Sequence, residues 1–553
     1  MDSTETERST IDRMNEVFQR IRDRGDDGVW IGTVKEEDLR ARAAAVHADL
    51  PLAGLTFAVK DNIDVAGMPT TAACPDFAYV PERTAPVVQR LLDAGALLVG
   101  KTNMDQFATG LTGARSPYGT PESVFGGGLI SGGSSSGSAV AVAAGLVDFS
   151  LGTDTAGSGR VPAALNGIVG VKPTRGLLST AGVVPACRSL DCVSIFAPDV
   201  TRAAAVLRVA RGPAAGDAWG RTGSYPLRNP AELRIGAARS LDFFGDAGQE
   251  KAFAAGLDRF GRDVRAVDVE PLLEAGDLLY RGPWVAERLA DLGDFLSAHP
   301  GSVLPVTRQV LETGLRYTAA DAWRGLHRLQ ELKAWTGRLF ETVDVLVLPT
   351  VATTYTHAEI AADPIGRNLN LGRYTQFANL LDLAAVTVPN GFTADGRPAS
   401  LTLFGPAFSD DTLALLAEEL GRTQDLMTVA VVGLHLRGEP RNAELTDRRA
   451  TLIGAARTAP CYRLYALPSG APGLVRDDTG AAIDIELWQL PAATVGSLLA
   501  GIPAPLSLGR IVLADGTEVT GFLCEAYAVA AAQDITASGG WRAHRSAPER
   551  QDT

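Results

Sequence analysis

Two segments rich in glycine and serine hold the residues with the clearest potential for chemistry. They span residues 126–138 and 152–162, and they contain Ser134 and Ser158. Such runs are typical of flexible turns or phosphate-binding loops, but the nucleotide-binding patterns GxxxxGK[ST] and GxGxxG at the start of a helix do not occur here. A serine hydroxyl can also attack an amide carbonyl when a base takes its proton. The two segments therefore leave two hypotheses open, structural turns or nucleophilic catalysis.

A serine nucleophile needs a base, and the six histidines lie in no motif near these segments. Lys60 is the other candidate, because it ends an apolar run at residues 55–59. Burial and neighbouring cationic groups lower the pKa of an amine from its usual value of about 10.4 toward neutrality. The structural alternative is an ordinary lysine at the end of a strand, whose ammonium group reaches solvent.

The pattern of apolar residues predicts the elements that position these side chains. Residues 1–50 alternate charged and apolar positions at helical spacing, which predicts an N-terminal helical arm. Beyond Pro51, short runs rich in β-branched residues alternate with helical stretches, which predicts an α/β fold. The predicted strands cover residues 55–59, 96–99, 169–171 and 343–348, and the predicted helices cover residues 85–92, 138–144, 201–209 and 409–421.

The character of the sequence changes near residue 425, where we place a domain boundary. A catalytic domain is expected over residues 51–425, a smaller β-rich α+β domain over residues 426–545 and a polar tail over residues 546–553. The Asp515-Gly516 pair between two apolar runs is a hairpin signal. The predicted strands of the smaller domain cover residues 427–436, 462–467, 482–490, 509–513 and 518–524.

The composition excludes several classes of function. A net charge of −13 without a basic cluster argues against a nucleic-acid partner. The five cysteines are scattered without CxxC spacing, which predicts a reducing cytoplasm and no metal site. Residues 1–24 are dense in charge, and no long apolar segment follows, so neither a signal peptide nor a membrane partner is expected.

The motifs around these residues resemble those of the amidase-signature hydrolases. The shared features are the strand-end lysine, the Gly-Gly-Ser-Ser loop at residues 132–135 and the turn at residues 154–160, Asp-Thr-Ala-Gly-Ser-Gly-Arg. The resemblance is closest over residues 51–196 and extends to about residue 420. It implies an amidase-signature fold, in which helices flank a mixed central sheet, and amide hydrolysis without a metal or an organic cofactor. It also implies Lys60 as base, Ser134 as a bridging serine held by a cis peptide bond, Ser158 as nucleophile, and the backbone N–H groups of Thr155, Ala156, Gly157 and Ser158 as oxyanion hole.

A relay of one lysine and two serines suits amide hydrolysis, because the leaving amine must be protonated. The relay takes the proton from Ser158 and returns it to the leaving nitrogen, so the same residues serve both half-reactions. At comparable sites an aligned N–H donor stabilises the oxyanion by about 3 kcal/mol. Asp154 and Arg160 are expected to hold the turn in place rather than to react.

Two further motifs resemble the allophanate hydrolase branch of this family, at residues 279–288 and 185–191. The Gly-Pro pair at residues 282–283 predicts a helix start, with Tyr280 in the preceding loop and Arg288 in the second helical turn. The resemblance implies that both residues bind substrate, since an arginine can grip a carboxylate by two parallel hydrogen bonds. The structural alternative places the tyrosine in the core and the arginine on the surface.

Residues 454–468 and 521–525 resemble the domain that allophanate hydrolases carry beyond their amidase domain. That domain is similar in fold to γ-glutamyl cyclotransferases, and in the family it handles the N-carboxycarbamate that the amidase domain releases. The resemblance implies His435 and Glu525 as candidate functional groups. The structural alternative is a domain that only forms a homodimer or larger oligomer.

The leading hypothesis is the hydrolysis of allophanate, with water as second substrate, to ammonia and carbon dioxide. A functional link to a urea carboxylase, or to an enzyme of cyanuric acid or biuret degradation, follows from that substrate. The alternative within enzymes is a broader amidase, including the glutaminase subunit of a tRNA-dependent amidotransferase. The alternative from another class is a non-catalytic amide-binding scaffold.

Overall fold

The computed structural model describes residues 3–422, 426–448, 450–530 and 532–546. The chain divides between Glu419 and Leu420 into two compact units, which we call the first unit and the second unit. No helix within the described ranges is long and apolar enough to cross a membrane.

An 11-stranded mixed sheet forms the centre of the first unit. Its strands are β1 Trp30–Thr33, β2 Thr56–Lys60, β3 Leu97–Thr102, β4 Phe149–Asp154, β5 Val169–Lys172, β6 Cys192–Ala197, β7 Ile235–Ala238, β8 Val264–Val267, β9 Val345–Pro349, β10 Ala384–Phe392 and β11 Pro398–Gly405. They lie in the order β1-β3-β2-β4-β6-β5-β10-β11-β9-β7-β8. β2 pairs in parallel with β3 and β4, whereas β6 pairs antiparallel with β4 and β5. The predicted mixed α/β sheet is confirmed.

The central strands are buried along their whole length, which explains the apolar runs that predicted β2 and the first part of β3. Every residue of β2, β3 and β4 is buried. Lys60 is the last residue of β2, and Asp154 is the last residue of β4. Since β2 and β4 are parallel, with Phe57 opposite Phe149, their carboxyl ends reach the same edge of the sheet. The candidate base and the turn that contains Ser158 therefore begin at one edge.

Helices connect these strands, and two of them begin within the glycine-serine segments, near the end of each. α4 follows Ser135, and α5 follows Arg160. The helices that begin in the first unit are α1 Ser3–Arg24, α2 Glu36–Ala45, α3 Pro86–Asp93, α4 Ser136–Ala143, α5 Val161–Leu165, α6 Val200–Ala210, α7 Ala247–Asp258, α8 Glu270–Tyr280, α9 Trp284–Ala298, α10 Pro305–Glu312, α11 Ala319–Thr342, α12 His357–Ala362, α13 Gly366–Gly372, α14 Phe377–Leu380 and α15 Asp410–Arg422.

The structure of the first unit differs from two local expectations. The arm expected to be helical also contains β1, which pairs antiparallel with β3 through Trp30 and Thr102, because the edge of a sheet offers unpaired N–H and C=O groups to a further strand. Tyr280 is the last residue of α8 and does not lie in a loop. The break between α8 and α9 is short because Gly282 has no side chain. An added Cβ there would lie 2.4 Å from the carbonyl oxygen of Leu278.

The second unit is rich in strands, as predicted. Its strands are β12 Leu426–Val431, β13 Thr451–Arg457, β14 Tyr462–Ala466, β15 Pro472–Arg476, β16 Asp484–Pro491, β17 Leu506–Val512, β18 Glu518–Cys524 and β19 Gln533–Asp534. They form a five-stranded sheet in the order β13-β16-β12-β18-β17 and a three-stranded sheet in the order β15-β14-β19. β17 and β18 are antiparallel, so the predicted hairpin is confirmed. The helices are α16 Ala443–Thr446, α17 Ala492–Ala500 and α18 Trp541–Ser546.

The strand predicted over residues 427–436 is shorter in the structure, where β12 ends at Val431. The chain passes Pro472 so closely at Gly433 that an added Cβ would lie 1.9 Å from the proline Cγ. This close approach requires glycine and takes the chain away from the sheet. His435 therefore lies in a turn and not on a strand.

Candidate active site

Lys60 lies at the centre of the site and makes two hydrogen bonds. Its Nζ donates to Ser134 Oγ at 2.8 Å and to Thr153 Oγ1 at 2.7 Å, and its side chain is fully buried. The peptide bond between Gly133 and Ser134 is cis. The structure thus brings Lys60 and Ser134 into direct contact. Thr153 was missed in the sequence, although its place directly before Asp154 at the end of β4 is a signal that could have identified it.

Burial determines the protonation of Lys60. Removal from water lowers its pKa to about 7, while the carboxylates of Asp105, Asp191 and Asp154 oppose part of that change. The cationic neighbours expected from the sequence are therefore not the cause, since these charged neighbours are acidic and stabilise the ammonium form. Near pH 7 a large fraction of Lys60 is a neutral amine, which is the form that can accept a proton.

Ser158 lies in the tight turn between β4 and α5, and its side chain is buried. The Asp154 carboxylate holds this turn from within. It accepts hydrogen bonds from the backbone N–H of Gly157 at 2.9 Å and of Gly159 at 3.0 Å. It also accepts from Arg160 Nε and Nη2, both at 2.9 Å. Burial alone would raise the pKa of Asp154, but Arg160, the charge of Lys172 and the Gly159 N–H lower it below its usual value.

The backbone around Ser158 presents N–H groups to the site. Within the described ranges, the N–H groups of Thr155, Ala156 and Ser158 have no acceptor, whereas that of Gly157 donates to Asp154. Gly157 has a φ of 139°, and an added Cβ would lie 2.3 Å from Thr375 Oγ1, so only glycine fits there. The three free donors can stabilise an oxyanion.

A second carboxylate supports the same turn from the other side. Asp191 Oδ1 accepts the Thr155 hydroxyl at 2.5 Å, and its carboxylate also accepts the backbone N–H groups of Ala186 and Cys187. Burial raises the pKa of Asp191 to about 6. Asp191 was not identified in the sequence as a group that contacts the turn, because its hydrogen bonds depend on how distant segments pack.

Arg288 and Tyr280 form a stacked pair. The Arg288 guanidinium lies 5.6 Å from the centre of the Tyr280 ring, and the Arg288 side chain is only 1% exposed. The structural alternative of a surface arginine is therefore wrong. Arg288 Nη1 donates to Thr109 Oγ1 at 2.8 Å. Its Nε and Nη2 find no acceptor in the part of the chain that the structure describes.

The free edge of Arg288 has the geometry that binds a carboxylate. In the same molecule, Arg160 grips the two carboxylate oxygens of Asp154 with its Nε and Nη2. These are the two nitrogens that Arg288 leaves unpaired. Because a buried charged donor without an acceptor costs free energy, such an edge calls for an anionic ligand.

The two candidate residues of the second unit differ in their surroundings. His435 is buried, its Nε2 lies 3.1 Å from Glu444 Oε2, and its ring stacks on Phe522 at 4.5 Å. Burial lowers the pKa of His435. Glu525 is exposed, and no hydrogen bond joins it to His435 among the described residues. The structure thus gives His435 a defined polar partner and leaves Glu525 as a surface carboxylate.

Glu486 is a buried carboxylate of the second unit that was not identified in the sequence. It lies on β16 and accepts hydrogen bonds from the Arg437 backbone N–H at 2.8 Å, Trp488 Nε1 at 3.1 Å and Arg542 Nη1 at 2.8 Å. A glutamate between the apolar residues Ile485 and Leu487 of a predicted strand was the available signal. In the described ranges, no three histidine, cysteine or acidic side chains converge as a metal-binding group.

Comparison with known proteins identifies the class. The family model described as Amidase matches residues 23–414. The chain belongs to the amidase family and is an amidohydrolase. A second model, the allophanate hydrolase C-terminal domain, matches residues 427–546. The chain thus combines an amidase domain with the C-terminal domain of allophanate hydrolases.

Individual relatives agree with that combination. A urea amidolyase of Lachancea kluyveri is 39% identical over 94% of this chain and 31% of its own length. A glutamyl-tRNA(Gln) amidotransferase subunit from Natronomonas pharaonis is 38% identical over 66% of this chain and 94% of its own. The solved structure of Kluyveromyces lactis allophanate hydrolase has a TM-score of 0.72 and 37% identity, and the match covers 98% of this chain and 97% of that chain. The chain spans about a third of the length of the urea amidolyase.

Proposed function

We propose that this chain hydrolyses allophanate, H₂N–CO–NH–COO⁻, to ammonia and carbon dioxide. The main support for this substrate is the buried Arg288, whose Nε and Nη2 have no acceptor in the described ranges. A small amide with a carboxylate satisfies that edge, whereas a neutral amide leaves a charged donor pair unpaired. The Tyr280 hydroxyl steadies the other end of the substrate in this proposal. The resemblance to Kluyveromyces lactis allophanate hydrolase over 98% of the chain supports the same substrate.

The proposed chemistry uses Lys60, Ser134 and Ser158 as one relay. The neutral Lys60 amine takes the proton of Ser134, Ser134 takes that of Ser158, and Ser158 Oγ attacks the amide carbon. The relay returns the proton to the leaving nitrogen, ammonia departs, and an acyl group remains on Ser158. Water then attacks the ester carbon through the same relay and releases N-carboxycarbamate. The 2.8 Å bond between Lys60 and Ser134 and a Lys60 pKa of about 7 support this order.

The oxyanion hole of this mechanism consists of the backbone N–H groups of Thr155, Ala156 and Ser158. The family resemblance includes Gly157 in the oxyanion hole, but we propose that Gly157 instead stabilises the turn. Its N–H donates to Asp154, and its positive φ gives the turn its shape. Each free donor stabilises the developing oxyanion by about 3 kcal/mol.

We assign the second unit to the step after the amidase reaction, with His435 and Glu525 as its candidate groups. N-carboxycarbamate loses carbon dioxide to give carbamate, which yields ammonia and a second carbon dioxide. The contact of His435 with Glu444 supports a role as a proton acceptor, since burial lowers the pKa of His435 and keeps its imidazole neutral while Glu444 holds the ring in place. The alternative is a domain with only structural or oligomer-forming roles. It predicts that replacement of His435 leaves the release of carbon dioxide unchanged.

The substrate of this proposal must come from a reaction that makes a urea carboxylate. The urea amidolyase relative is about three times as long as the segment that it shares with this chain. We propose that a separate urea-carboxylating enzyme, or one that opens a cyanuric acid or biuret derivative, supplies allophanate.

The test is ammonia release from allophanate, malonamate and glutamine by the full chain. We expect turnover of allophanate, weaker turnover of malonamate and little of glutamine. Ser158→Ala is expected to abolish turnover, and Arg288→Ala to raise the KM for allophanate by about tenfold to a hundredfold, since a charged hydrogen-bond pair is lost. Preference for glutamine would favour the amidotransferase alternative, and normal rates in Ser158→Ala would contradict the mechanism.

A further inference from the structure

Arg115 is a second buried arginine near the site, and the proposed mechanism does not use it. Its side chain is 3% exposed. Nη1 donates to the carbonyl oxygen of Thr109 at 2.9 Å and Nη2 to that of Pro364 at 2.6 Å. Its Nε has no acceptor within the residues that the structure describes. The guanidinium is therefore held in place from one side while one donor remains unpaired.

Arg115 and Arg288 meet at one residue. Arg115 donates to the Thr109 carbonyl oxygen, and Arg288 donates to the Thr109 hydroxyl at 2.8 Å. Burial lowers the pKa of Arg115, and the charge of Arg288 lowers it further, whereas Asp105 and Tyr280 raise it. Two like charges buried side by side destabilise each other unless an anion lies between or beside them.

The unpaired donors of Arg115 and Arg288 determine which chemical class of ligand the two arginines can bind together. They are Nε and Nη2 of Arg288 and Nε of Arg115, and none of them has a partner in the described part of the chain. A carboxylate carries about four lone-pair positions on two oxygens, so it can accept all three N–H groups. A primary amide offers one oxygen and brings N–H donors of its own, which leaves at least one arginine donor unpaired.

We propose that Arg115 and Arg288 together form one carboxylate subsite, and that Arg115 makes the enzyme reject neutral diamides. This inference rests on the proposed function, because it assigns the anionic end of the same small amide. Arg288 supplies a fork to both carboxylate oxygens, and Arg115 supplies a third N–H and a second positive charge. A substrate without the carboxylate then leaves the Nε of Arg115 and the Nε and Nη2 of Arg288 without an acceptor in the described part of the chain, although Asp105 still offsets part of the Arg115 charge.

The test compares an anionic and a neutral substrate in matched variants. Malonamate carries a carboxylate at one end, whereas biuret carries an amide at that end and has NH where malonamate has CH₂. We expect Arg115→Met to lower the ratio of kcat/KM for malonamate to kcat/KM for biuret by at least about tenfold, mainly through the KM for malonamate. Arg115→Lys keeps the charge with a different donor geometry and should restore part of the ratio. Arg234→Met, which removes an arginine that pairs with Asp344, should leave the ratio unchanged.

Inhibition by malonate gives a second readout in each folded variant. Its inhibition constant should rise at least about tenfold in Arg115→Met and by less in Arg115→Lys. An equal loss of activity on malonamate and biuret, with unchanged malonate inhibition, would overturn the inference and assign Arg115 a purely structural part. If Arg115→Met does not fold, an unchanged ratio in Arg115→Lys overturns it. A wild-type enzyme that prefers biuret or glutamine to malonamate would instead refute the proposed function itself.

Discussion

At the scale of single residues, Lys60 illustrates a competition between burial and charge. Three buried carboxylates favour its ammonium form, yet removal from water outweighs them and lowers its pKa to about 7. Desolvation of a fully buried charge is a larger effect than attraction to acids that are themselves partly compensated by other partners. Asp154, for example, already pairs with Arg160. A base that works near neutral pH therefore needs no cationic neighbour here.

The pH dependence of activity follows from this residue. Below pH 7 Lys60 is protonated and cannot take the proton of Ser134, so kcat/KM should fall as pH decreases, with an apparent pKa of about 7. Above that pH the neutral amine predominates, and the rate should reach a plateau. Asp105→Asn removes a charge that raises this pKa, so it should move the acid limb to lower pH. The measurement is a pH profile of ammonia release, and a limb that stays in place in Asp105→Asn would contradict the assignment of Lys60.

At the scale of elements, α9 connects Arg288, the proposed substrate-binding residue, to the turn that contains Ser158. It carries Arg288, and the adjacent Glu287 accepts the backbone N–H of Ser189 at 2.8 Å and its hydroxyl at 2.6 Å. Asp191 lies two residues after Ser189 and accepts the hydroxyl of Thr155. One helix thus fixes the segment that supports the turn of Ser158, and a displacement of α9 should affect both binding and catalysis.

The contribution of this contact can be measured on α9 itself. Glu287→Ala leaves two donors of Ser189 without their acceptor, so we expect a loss of about 1–2 kcal/mol in the free energy of unfolding and a lower kcat. Asp291→Ala is the matched control, because Asp291 lies one turn further on the same helix and pairs with the exposed Arg188. An exposed pair contributes little, so this control should change stability by less than about 0.5 kcal/mol. The measurements are denaturant titrations and kcat. Equal effects of both variants would refute the connection of α9 to the turn of Ser158.

At the scale of the whole molecule, the two compact units each have a buried core. The core of the second unit includes Tyr462, Trp488 and Phe522. The site built on Lys60 lies in the first unit, and His435 lies in the second unit. This placement agrees with the proposal that the first unit hydrolyses allophanate and the second unit acts on the N-carboxycarbamate that is released.

A histidine variant tests whether the second unit performs chemistry. In His435→Gln we expect the first ammonia to be released from allophanate at the wild-type rate, because the relay of the first unit is intact. Release of carbon dioxide from N-carboxycarbamate should slow by about a hundredfold, the usual effect of losing a general acid or base. Time courses of ammonia and carbon dioxide measure the two steps separately. His544→Gln is the control in the same unit, and identical time courses for both variants would support a structural role for His435.

Residue type and spacing along the chain were enough to predict many of the elements and to propose the reacting residues. The alternation of apolar runs and helical stretches predicted an α/β fold, and the family resemblance implied its mixed sheet. The glycine-serine segments with a strand-end lysine predicted the residues that the first unit places at one sheet edge. These features are local, since a few turns or one strand define them. The hairpin of the second unit was predictable for the same reason.

Properties that depend on contacts between distant segments could be determined only from the tertiary structure. The pKa of Lys60 depends on complete burial under residues from other elements, and the contacts of Thr153 and Asp191 arise where separate strands and loops meet. Arg288 and Arg115 meet at Thr109 although Arg288 is 179 positions from that threonine. Burial and unpaired donors are properties of packing in three dimensions, and no local pattern of residues specifies which donors the packed chain leaves without an acceptor.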